Sequence, residues 1–336
     1  MSEDRSLRGP QSTPARDGVT AAPAPPTMRA ISQDVLGGPE VLREVTLRRP
    51  VPGFSQILVA VHASGLNPTD WKHRGHRYFL PDPPFVLGFD VSGVVEAVGF
   101  GVTLFRPGDE VFGMLPYPHG HGAHAEYVTG PARAFVPKPR ELSHVEAGAL
   151  PLAGLTAWQA LVDTAGVLAG QKVLIHAAPG GVGHLAVQIA KARGAHVIGT
   201  ASEPRHNLVR GLGADEVIDY RTTDVYATVR DVDVVLDQLG GESPLRSLAC
   251  LRPGGLLVSL LGGSPELVSA ADAAGVRLAM MLVEADHGGM AAIAGLVEAG
   301  KLRPRIAGTF PLAEAAKAHA LGEAGPTAGK LVLVVR

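Results

Sequence analysis

The segment Ala177-Ala178-Pro179-Gly180-Gly181-Val182-Gly183-His184-Leu185-Ala186 carries the sharpest chemical signal in the chain. It follows an apolar run, Lys172 to His176 (KVLIH), and opens a helical pattern from Val182 to Arg193. Gly181-x-Gly183-x-x-Ala186 satisfies the dinucleotide fingerprint in its alanine form. The sequence assigns Gly181 to the tight turn, Gly183 to close backbone approach to a pyrophosphate, and Ala186 to close packing of helix on strand. A helix starting here adds free amides and the positive end of its dipole, so Gly180, Gly181, Val182 and Gly183 are candidate cofactor-binding residues.

The identity of the dinucleotide is read at the tip of the next strand. An NAD site usually carries a carboxylate about 20 positions on. Here the sequence is Gly199-Thr200-Ala201-Ser202, followed by Arg205, His206 and Arg210. The hydroxyls of Thr200 and Ser202 with the nearby cations Arg205 and His206 suit a 2′-phosphate, which favours NADPH over NADH. Glu203 counts against this, and the basic residues could equally form a solvated helix face. A second group, His119, His121 and His124, has a spacing (HGHGAH) open to a metal reading. It lies among glycines and prolines with no rigid element to orient the rings, so a solvated loop and no metal is the expectation.

The elements that must position these residues change character along the chain. From Met28 to about Lys138 the pattern is short, β-rich and punctuated by glycine and proline. Ile57 to Gly65 alternates as a half-buried strand would, and Val91 to Val98 and Glu126 to Val128 are further strand candidates. Ser143-His144-Val145-Glu146 is a capping box. Beyond it apolar strands (172–176, 196–200, 216–219, 232–237 and 256–261) alternate with helices (182–193 and 207–212), which indicates a doubly wound parallel sheet. Helices over 290–299 and 312–321 and a strand over 330–335 follow.

The 336 residues suggest two domains, and the net charge of -2 gives no global reason to bind nucleic acid or an anionic membrane. The single cysteine, Cys250, excludes an intramolecular disulfide and a Cys-rich zinc module. No apolar run reaches the roughly 18 residues that span a bilayer. Residues Met1 to Thr27 are rich in Pro, Ala, Ser and charge, and are expected to be a disordered tail. They contain no signal-peptide core, so a cytoplasmic location is expected.

Several motifs together resemble a known family. They are Gly65-Leu66-Asn67-Pro68-Thr69-Asp70, Val86-Leu87-Gly88-Phe89-Asp90-Val91-Ser92-Gly93, Pro107-Gly108-Asp109-Glu110-Val111 and Leu155-Thr156-Ala157. Leu212-Gly213-Ala214-Asp215, Val217-Ile218-Asp219-Tyr220, Arg252-Pro253-Gly254-Gly255 and Gly329-Lys330-Leu331-Val332-Leu333 complete them. From Met28 to Arg336 the chain resembles the medium-chain dehydrogenase/reductase superfamily, in its zinc-independent quinone oxidoreductase-like branch. The resemblance implies an α/β protein in which a GroES-like β-rich catalytic domain (residues 28–151 and 304–336) holds an inserted Rossmann domain (residues 152–303), with the cofactor cleft between them. Zinc-dependent relatives place cysteine where this chain has Asn67, and a histidine-glutamate pair where it has Phe89-Asp90. A zinc site has therefore lost its ligands.

Without a metal, a conjugated acceptor is favoured, because the charge added with a hydride delocalises over a quinone or an α,β-unsaturated carbonyl. By resemblance, Asn67 borders the nicotinamide, although it could also cap the short helix opened by Pro68. Lys72 falls where relatives place an active-site polar residue, and Tyr78 where enoyl-reductase relatives carry a tyrosine proton donor. Both also have bland readings, as a surface lysine and as an aromatic at the cleft rim. Thr156 matches a threonine beside the nicotinamide, and Tyr220 a residue flanking the adenosine phosphate. The loops Asp237-Gln238-Leu239-Gly240 and Leu261-Gly262-Gly263 complete the cofactor bed by analogy. The apolar run Val276 to Val283 implies an edge strand that pairs across a homodimer axis. The resulting expectation is an NADPH-dependent reductase of a quinone or other conjugated carbonyl. The alternatives are an enoyl or alkenal reductase of a biosynthetic pathway and a non-catalytic NADPH-binding protein.

Overall fold

Strand Gln56–Gly65 organises the first half of the molecule. The computed structural model describes residues 26–325 and 327–336. In it this strand pairs antiparallel with Asp90–Val98, Tyr127–Pro131 and Lys330–Val334. The sheet continues through Glu110–Met114 to Phe135–Pro137 on one side and through a parallel pairing to Ile306–Pro311 on the other. A half-buried strand was the expectation for 57–65, but the strand is buried on both faces. One face carries Ile57, Val59 and Val61 into the barrel interior. On the other, helix His144–Gly148 lies so close that a Cβ on Gly148 would press on the Ala63 backbone. That helix begins at the capping box read from the sequence, with Ser143 Oγ accepting from the Glu146 amide at 3.2 Å and Glu146 accepting the Ser143 amide at 2.9 Å.

The second sheet is wholly parallel. Its order is Glu216–Asp219, His196–Ala201, Lys172–Ile175, Val232–Asp237, Leu251–Ser259, Arg277–Met280. Alternate residues of each strand face opposite sides. Val173, Ile175, Val234 and Leu236 pack with Leu185 and Ile189 of helix Gly183–Ala192, whereas Leu174, Val235 and Leu257 pack with Leu248 and Leu267 on the opposite face. Both faces are thus covered, as near-continuous apolar strands require. Strand order reverses between Lys172–Ile175 and Val232–Asp237, the switch point at which such sheets bind ligands beyond their carboxyl ends. This is a mixed α/β fold with a GroES-like sheet domain and a Rossmann-like parallel-sheet domain.

Two expectations need correction. Of the proposed tail, residues 1–25 lie outside the described residues, but Thr27 opens strand Thr27–Gln33, where it is partnered with Arg48. The apolar run 276–283 is a strand only over Arg277–Met280, paired with Leu251–Ser259 alone, and its continuation turns inward. Met281, Leu282 and Val283 line a cleft at the domain junction, and Met281 donates its amide to Ser259 at 3.1 Å.

Candidate active site

The glycine-rich turn leaves the strand end at Ile175 and enters helix Gly183–Ala192. The amides of Gly181, Val182 and Gly183 donate no hydrogen bond among the described residues. They stand at the positive end of the helix dipole, ready for an anion. A Cβ on Gly183 would collide with the Ala177 carbonyl oxygen, so this glycine serves the closure of its own turn. At Gly181 a Cβ would lie in ordinary contact, 3.5 Å from Lys330 Cδ and 4.0 Å from the Gly329 carbonyl oxygen.

Two clefts meet at Gly180. The larger, of about 690 Å³, is lined by Thr200, Ser202, Arg205, Tyr220 and Leu239 among the expected residues. Arg221 and Arg246, not anticipated, also line it. Thr200 is buried and accepts the Ala177 amide at 3.0 Å, which ties the turn to the neighbouring strand. His206 stands apart from this lining: its Nε2 lies 3.2 Å from the Ala201 carbonyl oxygen, which accounts for one ring nitrogen within the protein. Asp237 Oδ1 accepts the Leu239 and Gly240 amides at 3.0 Å each, fixing the loop that carries Leu239.

The second cleft, of about 290 Å³, lies between the domains. Of the residues named from the sequence, Asn67, Lys72, Tyr78, Thr156, Gly181, Val182 and Leu261 line it. Gly262 does not, and its carbonyl instead accepts the Ser259 hydroxyl at 2.6 Å. Thr156 donates its hydroxyl to the Leu152 carbonyl at 2.7 Å, so it offers the cleft a lone pair and a methyl group. Tyr78 is 48% exposed at the rim, with the Lys72 ammonium 5.9 Å from its ring centre.

Beneath this cleft lies a buried polar cluster. Asn67 occupies the N-cap position of helix Pro68–Gly75, in a capping box with Asp70. Its Oδ1 accepts from the Lys330 ammonium and its Nδ2 donates to Asp90 Oδ2 at 2.9 Å. Lys330 also donates to the Leu66 carbonyl at 2.8 Å and lies 3.5 Å from Asp90 Oδ2. Asp90 Oδ1 accepts the Leu152 amide at 2.7 Å, and Asp70 Oδ2 accepts the Asn67 amide at 2.7 Å. Burial pushes the Asp70 carboxyl up to about 7, raises Asp90 and lowers Lys330. Asp70 Oδ1 has no hydrogen-bond partner among the described residues. The sequence reading did not place Lys330, Asp70 or Asp90 at the site, although each stood inside a quoted motif.

Tyr117 and Thr69 also face the cleft and were missed. The histidine group divides. His121 Nδ1 bonds the Val86 carbonyl at 2.6 Å, but His124 is fully buried against His319, at 5.7 Å between ring centres. The solvated-loop reading therefore fails for His124, whose backbone is pinned by bonds to Leu87 and Ile31.

The donors at the position of the relatives' zinc ligands do not fit zinc. They are an amide, a phenyl ring and a carboxylate already engaged by an ammonium ion. Among the described residues, no group of His, Cys, Asp and Glu is placed to hold a metal ion. The two joined clefts, by contrast, fit a dinucleotide, with the free amides at their junction.

Comparison with known proteins bears on this geometry. Residues 53–140 match the alcohol dehydrogenase GroES-like domain family, and residues 212–333 a family described as zinc-binding dehydrogenase. A 2-haloacrylate reductase from a Burkholderia species is 37% identical over 326 residues, covering 89% of this chain and 96% of that protein. The quinone oxidoreductase of Coxiella burnetii superposes with a TM-score of 0.87 at 38% identity, covering 93% of this chain and all (100%) of that one. An Escherichia coli quinone oxidoreductase solved with NADPH superposes with a TM-score of 0.84 at 29% identity, covering 91% of this chain and 100% of that chain. With its glycine turn at the sheet's switch point and its cleft closed by the barrel, the chain belongs to the medium-chain dehydrogenase/reductase superfamily, in the quinone oxidoreductase-like branch, and is an oxidoreductase that uses a nicotinamide cofactor.

Proposed function

We propose that the protein is a zinc-independent NADPH-dependent reductase that delivers a hydride to a quinone or another conjugated carbonyl. The observation that carries this reading is the pair of clefts joined at Gly180, one lined by arginines and hydroxyls, the other by aromatic rings and no metal donor set. A bound NADPH would supply the hydride. The amides of Gly181 to Gly183 would hold its pyrophosphate, and Thr200, Ser202, Arg205 and Tyr220 its adenosine phosphate end, with Arg221 beside them. The loop residues Leu239 and Leu261 would border it. Gly262 would act through the shape of its loop, and His206 by holding the strand end. Asn67 and Thr156 would flank the nicotinamide. Lys72 would stabilise the anion that forms on the acceptor, and Tyr78 would protonate the carbon beside the carbonyl of an enone.

The printed name of the Burkholderia relative favours a second reading, reduction of an activated alkene, in the same cleft. The exposed edge strand Arg277–Met280, with Met280 55% exposed, supports a homodimer, and the lone thiol suits a cytoplasmic setting. No described helix is long and apolar enough to cross a membrane.

The test follows nicotinamide oxidation by the purified protein with a small quinone and a small enone. With the quinone, kcat/KM for NADPH is expected to exceed that for NADH by about tenfold or more, the worth of one charge-assisted phosphate contact. Tyr78→Phe should slow enone reduction by about 100-fold, the lower range for general acid catalysis, and leave quinone reduction nearly unchanged. Equal loss of both would remove Tyr78 from the assignment. Oxidation with the enone alone would move the protein to the alkene-reductase reading. NADPH binding without reduction of either acceptor would favour a binding role.

A further inference from the structure

A chain of three polar side chains runs from the cleft wall into the barrel and is not used in the reading above. Tyr117 Oη lies 3.1 Å from Thr69 Oγ1, and Thr69 Oγ1 lies 3.2 Å from His73 Nδ1. Tyr117 and Thr69 both line the cleft, while His73 is buried behind them. Burial holds the His73 imidazole down at about 4, so the ring is neutral at physiological pH and carries one N–H. His73 Nε2 has no partner among the described residues, and the imidazole packs among the rings of Tyr78, Phe79 and Phe89. A proton there would be an orphaned buried donor, which folded proteins avoid more strictly than an unpaired acceptor. The proton therefore sits on Nδ1, a position that the Thr69 carbonyl also favours.

With Nδ1–H donating to Thr69 Oγ1, the threonine hydroxyl donates onward to Tyr117 Oη. The phenol's own proton is then left to point elsewhere, and the space beside it is the cleft. The Tyr117 ring is steadied edge-on by Phe89 at 5.0 Å and Phe79 at 5.9 Å. Burial raises the phenol above its usual range, so it stays a donor through neutral pH. Tyr78 has no such chain behind it among the described residues and stands half-exposed.

We propose that Tyr117 is a catalytic residue whose O–H hydrogen-bonds the carbonyl oxygen of the acceptor, and that Thr69 and His73 are positioning residues that fix the direction of that donor. This rests on the reading of the cleft as a carbonyl-acceptor site. As the hydride adds, negative charge grows on that oxygen, and a preset neutral donor stabilises it without a metal. No bond to Tyr117 breaks in this step; the proton that completes the product comes from Tyr78 with an enone and from solvent with a quinone. Because quinones and enones both present a carbonyl oxygen, Tyr117 serves both, unlike the role given to Tyr78.

The experiment compares wild type, Tyr117→Phe, Thr69→Val and Thr69→Ser with the quinone and the enone under saturating NADPH, alongside NADPH affinity and thermal melting. Tyr117→Phe is expected to lower kcat by about 100-fold with both acceptors, the loss seen when one oxyanion donor is removed, with NADPH affinity and melting close to wild type. Thr69→Val should lower kcat by about tenfold, as a weakened hydrogen bond would, and Thr69→Ser should restore it. A second readout avoids turnover: the infrared carbonyl band of bound enone with NADP⁺ should lie at lower wavenumber in wild type than in Tyr117→Phe. An active wild type whose Tyr117→Phe variant keeps its rate and carbonyl band overturns this proposal alone. Thr69→Ser no better than Thr69→Val removes the positioning chain. A wild type inert toward both acceptors overturns the cleft reading and this proposal with it.

Discussion

Acidification from pH 7 to pH 5 is expected to cost the folded protein of the order of 5 kcal/mol. Burial holds His73 and His184 at about 4, His124 at about 3 and His319 at about 2. Each binds fewer protons folded than unfolded below its ordinary value of 6.5. Their stabilisation is therefore complete above pH 6.5 and is lost as pH falls. At ~1.4 kcal/mol per pH unit and per group, these histidines together withdraw ~8 kcal/mol by pH 5. His62, His144 and His176, also lowered by burial, act in the same direction.

Asp70 opposes them. Its folded value of about 7 lies above the unfolded 3.8, so its contribution is full in acid and is lost as pH rises through 7. Over the same interval acidification recovers only ~2 kcal/mol from it. Asp90, also raised, adds to that side, but the histidines outnumber the carboxylates and the loss wins. The remainder is comparable with the whole stability of many domains. Urea midpoints at pH 7, 6 and 5 provide the check, and a flat profile would refute the account. Asp70→Asn should steepen the profile. His124→Leu should flatten it by ~2 kcal/mol, because both ring nitrogens of His124 lack partners among the described residues and the ring gives up no hydrogen bond to them when replaced.

Lys330→Met carries the second large effect. Lys330 is the buried cation of the cluster that orients Asn67: it donates to Leu66 and Asn67 and forms an ion pair with Asp90. Removing it leaves Asp90 in the interior without its counter-charge, which should destabilise the fold by about 3–5 kcal/mol. Asn67 would lose the partner of its Oδ1, so reductase activity should fall beyond what unfolding explains. In the double variant with Asp90→Asn, part of the stability should return, since no unpaired charge remains. A double-mutant cycle in urea measures this directly. Additive losses would show that Lys330 and Asp90 do not act as a pair.

Much of this cleft was legible in the sequence where a single segment holds both the signal and its structural context. The glycine turn is such a case, because strand, turn and helix are contiguous from Lys172 to Ala192. Even there, the collision that demands Gly183 comes from the path of the Ala177 backbone, which the motif does not state. The Asn67–Lys330 contact joins residues 263 positions apart, and no periodicity connects them. Tyr117 lies in a proline-rich loop whose sequence states nothing about its neighbour Thr69, 48 positions earlier. His124 misled for a related reason: its flanking glycines read as loop, but the residue that buries it, His319, arrives from a distant helix. The inward turn after Met280 was hidden because an apolar run does not state where pairing stops.

The strand Lys330–Val334 has a further consequence for how the protein comes into being. It enters the barrel sheet beside Gln56–Gly65, while Gly329 donates its amide to the Pro179 carbonyl at 3.0 Å and Lys330 donates its amide to Arg305 at 2.8 Å. A ribosome makes every other wall of the cleft before it makes this strand. Until then the nascent barrel must hold Asp90 without an ammonium beside it and its central strand without this partner over Ala63 to Gly65. The parallel sheet can assemble meanwhile from its own contiguous segments. The barrel, although begun first, closes only after the sheet has been made, so the cleft becomes competent in one late event that couples the two domains.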